Sequence, residues 1–98
     1  MIEVVFSKTA ERHVLDAIIR WSVHHPQRPN LLDDELQRAV ALIKEHPDVG
    51  PPARTRRFKR ARVLVLRESE HLLVYRRVTR ERVRVVGLYA SRATPDRP

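Results

Sequence analysis

The sequence predicts an α+β fold in which a hairpin of two helices packs on a small, mostly antiparallel four-stranded sheet. Three observations predict it. A short apolar segment and two amphipathic helical stretches fill the first half of the chain, three strand-like segments with short polar connections fill the second, and the 98 residues suffice for one domain with one core. Helices on one face of an antiparallel sheet are the layer arrangement that this order of elements favours.

The first strand and the first helix are predicted from residues 2–24. Residues 2–6 are short and β-branched, which is typical of a strand. Ser7 is suited to cap the next helix, because its hydroxyl can accept a hydrogen bond from the first helical turn. From residue 8 to about residue 24, apolar side chains recur at helical spacing and form one stripe, consisting of Ala10, Val14, Ala17 or Ile18, and Trp21. Pro26 and Pro29 interrupt the pattern.

A second helix is predicted to begin after Asn30, which is placed as its N-cap. Asp33 and Asp34 fall in the first turn, where negative charge suits the helix dipole. The helix ends at His46, since a residue before a proline avoids the helical region. Because few residues join the two helices, they are expected to form an antiparallel hairpin. The buried stripe of the second helix is predicted to contain Leu32, Leu36, Ala39, Val40 and Ile43.

The remaining strands are predicted at residues 61–67, 71–78 and 82–90, after a proline-containing loop at 48–59. The connections are short and polar, as in successive hairpins. In the last strand, valines alternate with Arg82 and Arg84, which predicts one buried and one solvated face near its start. Val86 and Leu88 break this alternation, so the far end is expected to be covered on both sides. The domain is predicted at residues 1–92, with a loose tail at 93–98.

Composition excludes several classes of chemistry. The chain has no cysteine, which excludes disulfides and thiolate metal sites, and its two glycines are too few for a phosphate-cradling loop or a serine nucleophile elbow. The five histidines show no zinc-binding spacing, and we expect them to be ordinary surface or loop residues. We therefore predict no metal and no cofactor. The N-terminus does not resemble a signal peptide, and no stretch is apolar enough to span a membrane.

Charge is distributed unevenly between the two halves of the chain. Residues 1–49 hold six Lys or Arg and eight Asp or Glu, whereas residues 50–98 hold fourteen and four. The strand-rich half therefore carries all of the excess positive charge. A basic surface built on a small sheet is expected in a protein that meets nucleic acid, a nucleic-acid enzyme or an acidic protein.

The Arg-rich run at residues 54–62 is the strongest local signal. Its cations could neutralise phosphates while Phe58 stacks on a base, or the run could be a solvated loop that meets an acidic partner while Phe58 packs in the core. Arg76 and Arg77 extend the positive charge along the sheet, and the two tyrosines in the strands are expected to pack there. The predicted target-binding surface consists of Arg54, Arg56, Arg57, Lys59, Arg60, Arg62, Arg82 and Arg84.

Several local strings, taken in order, resemble the ParE/RelE superfamily of bacterial toxins from type II toxin–antitoxin operons. Phe6 and Ser7, followed by Ala10, resemble the start of the family's first helix. Residues 42–50 resemble its leucine–proline–glycine segment after the second helix, and residues 72–78 resemble its central Tyr-Arg-Val strand. Residues 83–88, with Ser91 and Arg92 after them, resemble its last strand and arginine-bearing end.

The resemblance implies a cytoplasmic toxin that a cognate antitoxin neutralises in a hetero-oligomeric complex. ParE-like members poison DNA gyrase without cutting RNA, whereas RelE-like members cut mRNA on the ribosome. The antitoxin would present an acidic, amphipathic C-terminal segment that folds into an apolar groove between helices and sheet. Trp21, Val40 and Ile43 are candidates to line that groove, although core packing is the alternative for each.

The two branches make different demands on the residues near the C-terminus. For a nuclease, Lys59, Arg62, Arg76 and Arg92 match basic positions that would stabilise the charged transition state. RNA cleavage also needs an acid or base, and no Tyr, His or Glu follows Ala90. The sequence therefore favours the ParE-like branch. A RelE-like endonuclease and a non-toxic basic module that binds protein stay as alternatives.

Overall fold

The computed structural model describes residues 1–53 and 57–91, and its elements follow the predicted order. They are β1 (Glu3–Phe6), α1 (Lys8–His24), α2 (Leu31–Glu45), β2 (Arg62–Leu66), β3 (His71–Thr79) and β4 (Arg82–Ala90). The α+β prediction is confirmed. The predicted tail at 93–98 lies outside the described residues, and within them no helix is long and apolar enough to cross a membrane.

The two helices begin with different capping interactions. The Ser7 hydroxyl accepts a hydrogen bond from the Ala10 amide at 3.0 Å, as predicted. Asn30 stands at the N-cap of α2, as predicted, but its side chain makes no capping hydrogen bond. The first turn of α2 instead depends on the backbone, where the Asp34 amide donates to the Asn30 carbonyl at 2.9 Å, and on the acidic residues that follow.

The four strands form one sheet in the order β1-β4-β3-β2. The β2–β3 and β3–β4 pairs are antiparallel, whereas β1 lies parallel to β4 with Glu3 opposite Arg82. The position of β1 could not be read from the sequence pattern. A register shift between Val74 and Tyr75 marks an irregularity in the β3–β4 pair, beyond which residues 86–90 of β4 are all buried or half-buried, as predicted.

The helices cover one face of the sheet, called here the inner face, and the core lies between them. Val83 and Val85 point into it, and both are fully buried. Other buried side chains of this cluster are Ala10, Ala17, Leu32, Leu36, Ala39, Ile43, Leu66, Leu73, Tyr75 and Leu88. Val40 is only half-buried, so the predicted stripe of α2 is shifted toward Glu35.

Glu35 is a buried charge that the sequence analysis did not identify. Glu35 is 8% exposed. Its carboxylate accepts hydrogen bonds from the Glu68 amide at 2.9 Å, the Ser69 amide at 3.1 Å and the Ser69 hydroxyl at 2.6 Å. Three donors compensate the buried carboxylate. Glu35 therefore fixes the turn between β2 and β3 to α2.

Candidate functional site

The outer face of the sheet, opposite the helices, carries exposed arginines. Strand alternation places Arg82 and Arg84 there, because Val83 and Val85 fill the inner face. Arg76 of β3 lies directly opposite Arg84, so the two side chains share this face. Arg82 is paired with Glu3 of β1, with Nε 2.8 Å from the carboxylate oxygen.

A turn at residues 57–60 lies against the same face and adds positive charge to it. The Tyr89 ring lies over Gly87 on the outer face, and a Cβ at Gly87 would come within 2.7 Å of that ring. The Phe58 ring packs against Tyr89 with centroids 5.7 Å apart, and the Arg57 guanidinium lies 5.4 Å from the Phe58 centroid. We call this surface the basic face; its described cations are Arg57, Lys59, Arg60, Arg76, Arg82 and Arg84.

The structure does not bring the four predicted nuclease residues together. Arg62 lies opposite Tyr75, whose side chain is in the core, so Arg62 belongs to the inner face and Arg76 to the outer one. Arg62 Nη1 donates to the Gly50 carbonyl at 2.8 Å, and its Nε lies 3.5 Å from the Asp48 carboxylate. Lys59 is exposed in the turn, and Arg92 lies outside the described residues, as do Arg54 and Arg56 of the predicted surface.

Arg62 is part of a cluster that attaches the segment after α2 to the sheet. The Tyr75 hydroxyl accepts a hydrogen bond from the Gly50 amide at 2.9 Å, and burial raises the pKa of Tyr75. Gly50 is required by close approach, since a Cβ there would lie 2.7 Å from the Val63 carbonyl oxygen. Arg77 adds a second cation 3.8 Å from Asp48. These contacts give Arg62 a structural role.

A groove of about 630 Å³ lies between α1 and the second half of β4. It forms because β1 pairs only with the first half of β4, so beyond Val85 the strand edge faces α1 directly. His13 of α1 occupies this edge, where its Nδ1 accepts a hydrogen bond from the Leu88 amide at 3.3 Å. The lining includes His13, Arg20, Trp21, His24, His25 and His71, together with the carboxylates of Asp16 and Glu70.

Aromatic contacts fix the walls of the groove. Trp21 stacks on His25 with centroids 3.7 Å apart, and its indole N–H donates to the Arg28 carbonyl at 2.8 Å. His71 Nδ1 lies 2.9 Å from the Ser69 carbonyl, so that nitrogen carries the proton. Burial is the main cause that lowers the pKa of His71, and the nearby Arg20 charge lowers it further.

The predicted groove residues separate in the structure. Trp21 lines the groove, Val40 is half-buried on α2, and Ile43 is fully buried, so its role is core packing rather than groove lining. The sequence did not predict that four histidines, His13, His24, His25 and His71, line this groove. One signal was available, because His13 and His24 are eleven residues apart, close to three helical turns, and so lie on one side of α1. No cluster of three or more potential metal ligands occurs in the described part of the chain.

The solvent side of α1 carries an apolar stripe that the sequence analysis also missed. Leu15, Ile19 and Val23 follow one another at four-residue spacing, and each is more than half exposed. Three large apolar side chains in a row on one helix are more typical of a surface that meets a partner than of a free surface.

Comparisons with known proteins agree with this architecture. Residues 4–92 match the family model for the ParE toxin of type II toxin–antitoxin systems. A solved structure of the chromosomal ParDE system from P. aeruginosa contains a chain with the same fold, with a TM-score of 0.73 at 12% identity. The alignment covers 92% of this chain and 96% of that one. No curated protein sequence gives a significant match.

Proposed function

Because the chain belongs to the ParE toxin family of type II toxin–antitoxin systems, we propose that it stops growth by poisoning DNA gyrase. The observation that carries this proposal is the separation of Arg62 from Arg76 by the thickness of the sheet. To cleave RNA, the protein would need to bring its cationic side chains and an acid or base together around one phosphate. The exposed arginines of the basic face are suited instead to binding, which is all that a gyrase poison requires.

Poisoning of this kind needs no chemistry from the toxin. Gyrase passes through a state in which it is covalently joined to broken DNA. A protein that binds this cleaved state more tightly than the resealed state raises the population of the cleaved state. The size of the increase is set by the difference between the two binding free energies. The sheet, with both described helices on its inner side, offers the basic face as a preformed surface for such binding.

We place the antitoxin in the groove between α1 and β4. Its floor and walls are apolar around Trp21 and Leu88, and its charged lining residues are Arg20, Asp16 and Glu70, beside four histidines. The apolar side of an amphipathic segment fits these walls and would fold as it binds, while the net charge of +8 on the chain attracts its acidic residues. The complementary charge would speed association and make it depend on salt. We further propose a hetero-oligomeric toxin–antitoxin complex in the cytoplasm.

The test is a plasmid cleavage assay with purified components. The toxin is incubated with gyrase, ATP and supercoiled plasmid, and the mixture is then treated with detergent and protease. We expect linear plasmid that appears only when gyrase is present and disappears when the cognate antitoxin is added first. Failure of a toxin that stops growth in cells to give linear plasmid would refute gyrase poisoning.

The same preparation discriminates the two alternatives. A RelE-like nuclease would produce mRNA cuts on translating ribosomes, with Lys59 and Arg76 as the first residues to replace. A non-toxic basic module would leave growth unaffected while still binding its partner. Either result would remove the gyrase proposal and leave the family assignment intact.

A further inference from the structure

The described arginines and lysines divide into those with a carboxylate partner and those without one. Arg28 and Arg38 share Glu68, Arg62 and Arg77 share Asp48, and Arg82 pairs with Glu3. Within the described chain, five cations of the basic face make no ion pair; these are Arg57, Lys59, Arg60, Arg76 and Arg84. Among the described residues, the positive charge of these five side chains is therefore not compensated by a carboxylate.

Arg76 and Arg84 lie at directly paired positions, and the repulsion between their like charges lowers the stability of the fold. Side chains directly opposite in an antiparallel pair have Cβ atoms about 5 Å apart, and like charges there are destabilising. No ion pair of the described residues relieves the repulsion. An external anion would relieve it, and a guanidinium group matches a phosphate through two parallel hydrogen bonds.

The spacing of the cations suits a polyanion with regular charge. Tyr89, beside the turn at 57–60, and Arg84 lie opposite Leu72 and Arg76 of β3, which are four residues apart, or about 13 Å of strand. Duplex DNA presents one phosphate charge per roughly 1.7 Å of its axis. In the part of the chain that the structure describes, Glu3, at the β1 edge, is the one carboxylate paired on this face. An acidic protein surface would seldom offer such uniform negative charge over this length.

We propose that the basic face binds the phosphate backbone of duplex DNA, without reading its sequence. The choice of DNA rests on the proposed function, since gyrase holds a DNA duplex at the site of the break and a toxin bound there has its backbone within reach. The face would then hold the toxin on the DNA segment beside the break, while other surfaces contact gyrase.

The experiment measures binding of the whole protein to a fluorescent 30-base-pair duplex by anisotropy, without gyrase, at 50–300 mM salt. Five phosphate contacts predict that the logarithm of the association constant falls with the logarithm of salt concentration with a slope of about −4.5. Replacing Arg76→Gln together with Arg84→Gln should reduce the size of this slope by about 2. The single variant Arg84→Gln should reduce it by about 1, which gives a second measurement if the double variant folds poorly.

The matched control is Arg28→Gln with Arg38→Gln, which removes the same charge from the helix side of the molecule. These two arginines already share Glu68. We expect this variant to keep the slope of the unchanged protein. Equal slopes in the two double variants would contradict the proposal, because binding would then follow net charge rather than the basic face.

Other ligands decide whether the partner is duplex DNA. Tighter binding to a single-stranded or double-stranded RNA of equal length would contradict the choice of DNA, and equal binding to polyglutamate would contradict phosphate recognition. The assay contains no gyrase, so its outcome is independent of the plasmid cleavage test. DNA binding without gyrase poisoning would remove the proposed function alone, and poisoning without DNA binding would remove this inference alone.

Discussion

Among the described residues, arginine side chains are compensated by protein groups on the inner face of the sheet and lack carboxylate partners at two opposed positions of its outer face. On the inner face, Arg62 donates to the Gly50 carbonyl and lies beside Asp48, so its charge is compensated within the protein. On the outer face, Arg76 and Arg84 oppose one another with no carboxylate partner in the described chain. In this arginine-rich sheet, the partner of each guanidinium therefore distinguishes a structural residue from a binding one.

The strongest way to test the contrast between the two faces is a pair of truncations. Leu73→Ala, on the inner face, empties a fully buried site and should cost about 2–5 kcal/mol of unfolding free energy. Val78→Ala, near the end of the same strand, removes a side chain that is 43% exposed and should cost less than about 0.5 kcal/mol. Urea denaturation measures both. Similar losses would show that the inner face is not the dominant core.

Glu35→Gln tests whether the buried carboxylate fixes the β2–β3 turn. The amide NH2 of glutamine would face one of the three donors that the carboxylate now accepts from, so about 1–3 kcal/mol of stability should be lost. Asp34→Asn, at an exposed position of the same helix, is the control and should change stability far less. Thermal melting of both variants provides the comparison, and equal melting temperatures would contradict the role of Glu35.

His71 should make the inner side of the molecule sensitive to pH. Burial lowers the pKa of His71 in the folded state, so below about pH 6.5 the unfolded chain takes up a proton that the folded one resists. Stability should therefore fall as the pH falls from about 6.5 through the lowered folded-state pKa. His71→Asn can keep a donor toward the Ser69 carbonyl and should reduce this pH dependence, whereas replacing exposed His46 with Asn should not. Unfolding curves at pH 7.5 and 5.5 measure the difference.

One substitution on the outer face is expected to raise the free energy of unfolding slightly rather than lower it. Arg84→Gln removes one of two opposed charges on the outer face and should stabilise the fold by about 0.2–1 kcal/mol at low salt. High salt should shrink the gain, because it screens exposed charges. A loss of stability at low salt would show that Arg84 has a compensating partner in solution.

The sequence predicted the elements of the fold well because their signals are local. The Ser7 cap and the apolar spacing gave the bounds of α1, and the alternation of valines and arginines gave the faces of β4. The parallel pairing of β1 with β4 was not predictable, since strand neighbours depend on contacts between distant segments. A groove with Trp21 in its lining was predicted, but its histidines were missed for the same reason, because His71 joins the α1 histidines only through the fold.

The sequence identified basic residues of the candidate site but not the face of the sheet on which each one lies. The sequence identified Arg62 and Arg76 as one potential nuclease set, whereas strand pairing places them on opposite faces. It also grouped Arg62 with the arginines of the target-binding surface. Separating them required the positions of Asp48 and Gly50, which lie twelve or more residues earlier in the chain.

A comparison of three proteins in the gyrase-dependent plasmid cleavage assay tests whether the basic face acts on the gyrase–DNA complex. They are the unchanged toxin, the outer-face variant with Arg76→Gln and Arg84→Gln, and the helix-side control with Arg28→Gln and Arg38→Gln. We predict linear plasmid with the unchanged toxin and the control, and at least tenfold less with the outer-face variant. Equal linear plasmid from both variants, or none from the unchanged toxin, would contradict the claim that the basic face acts on the gyrase–DNA complex.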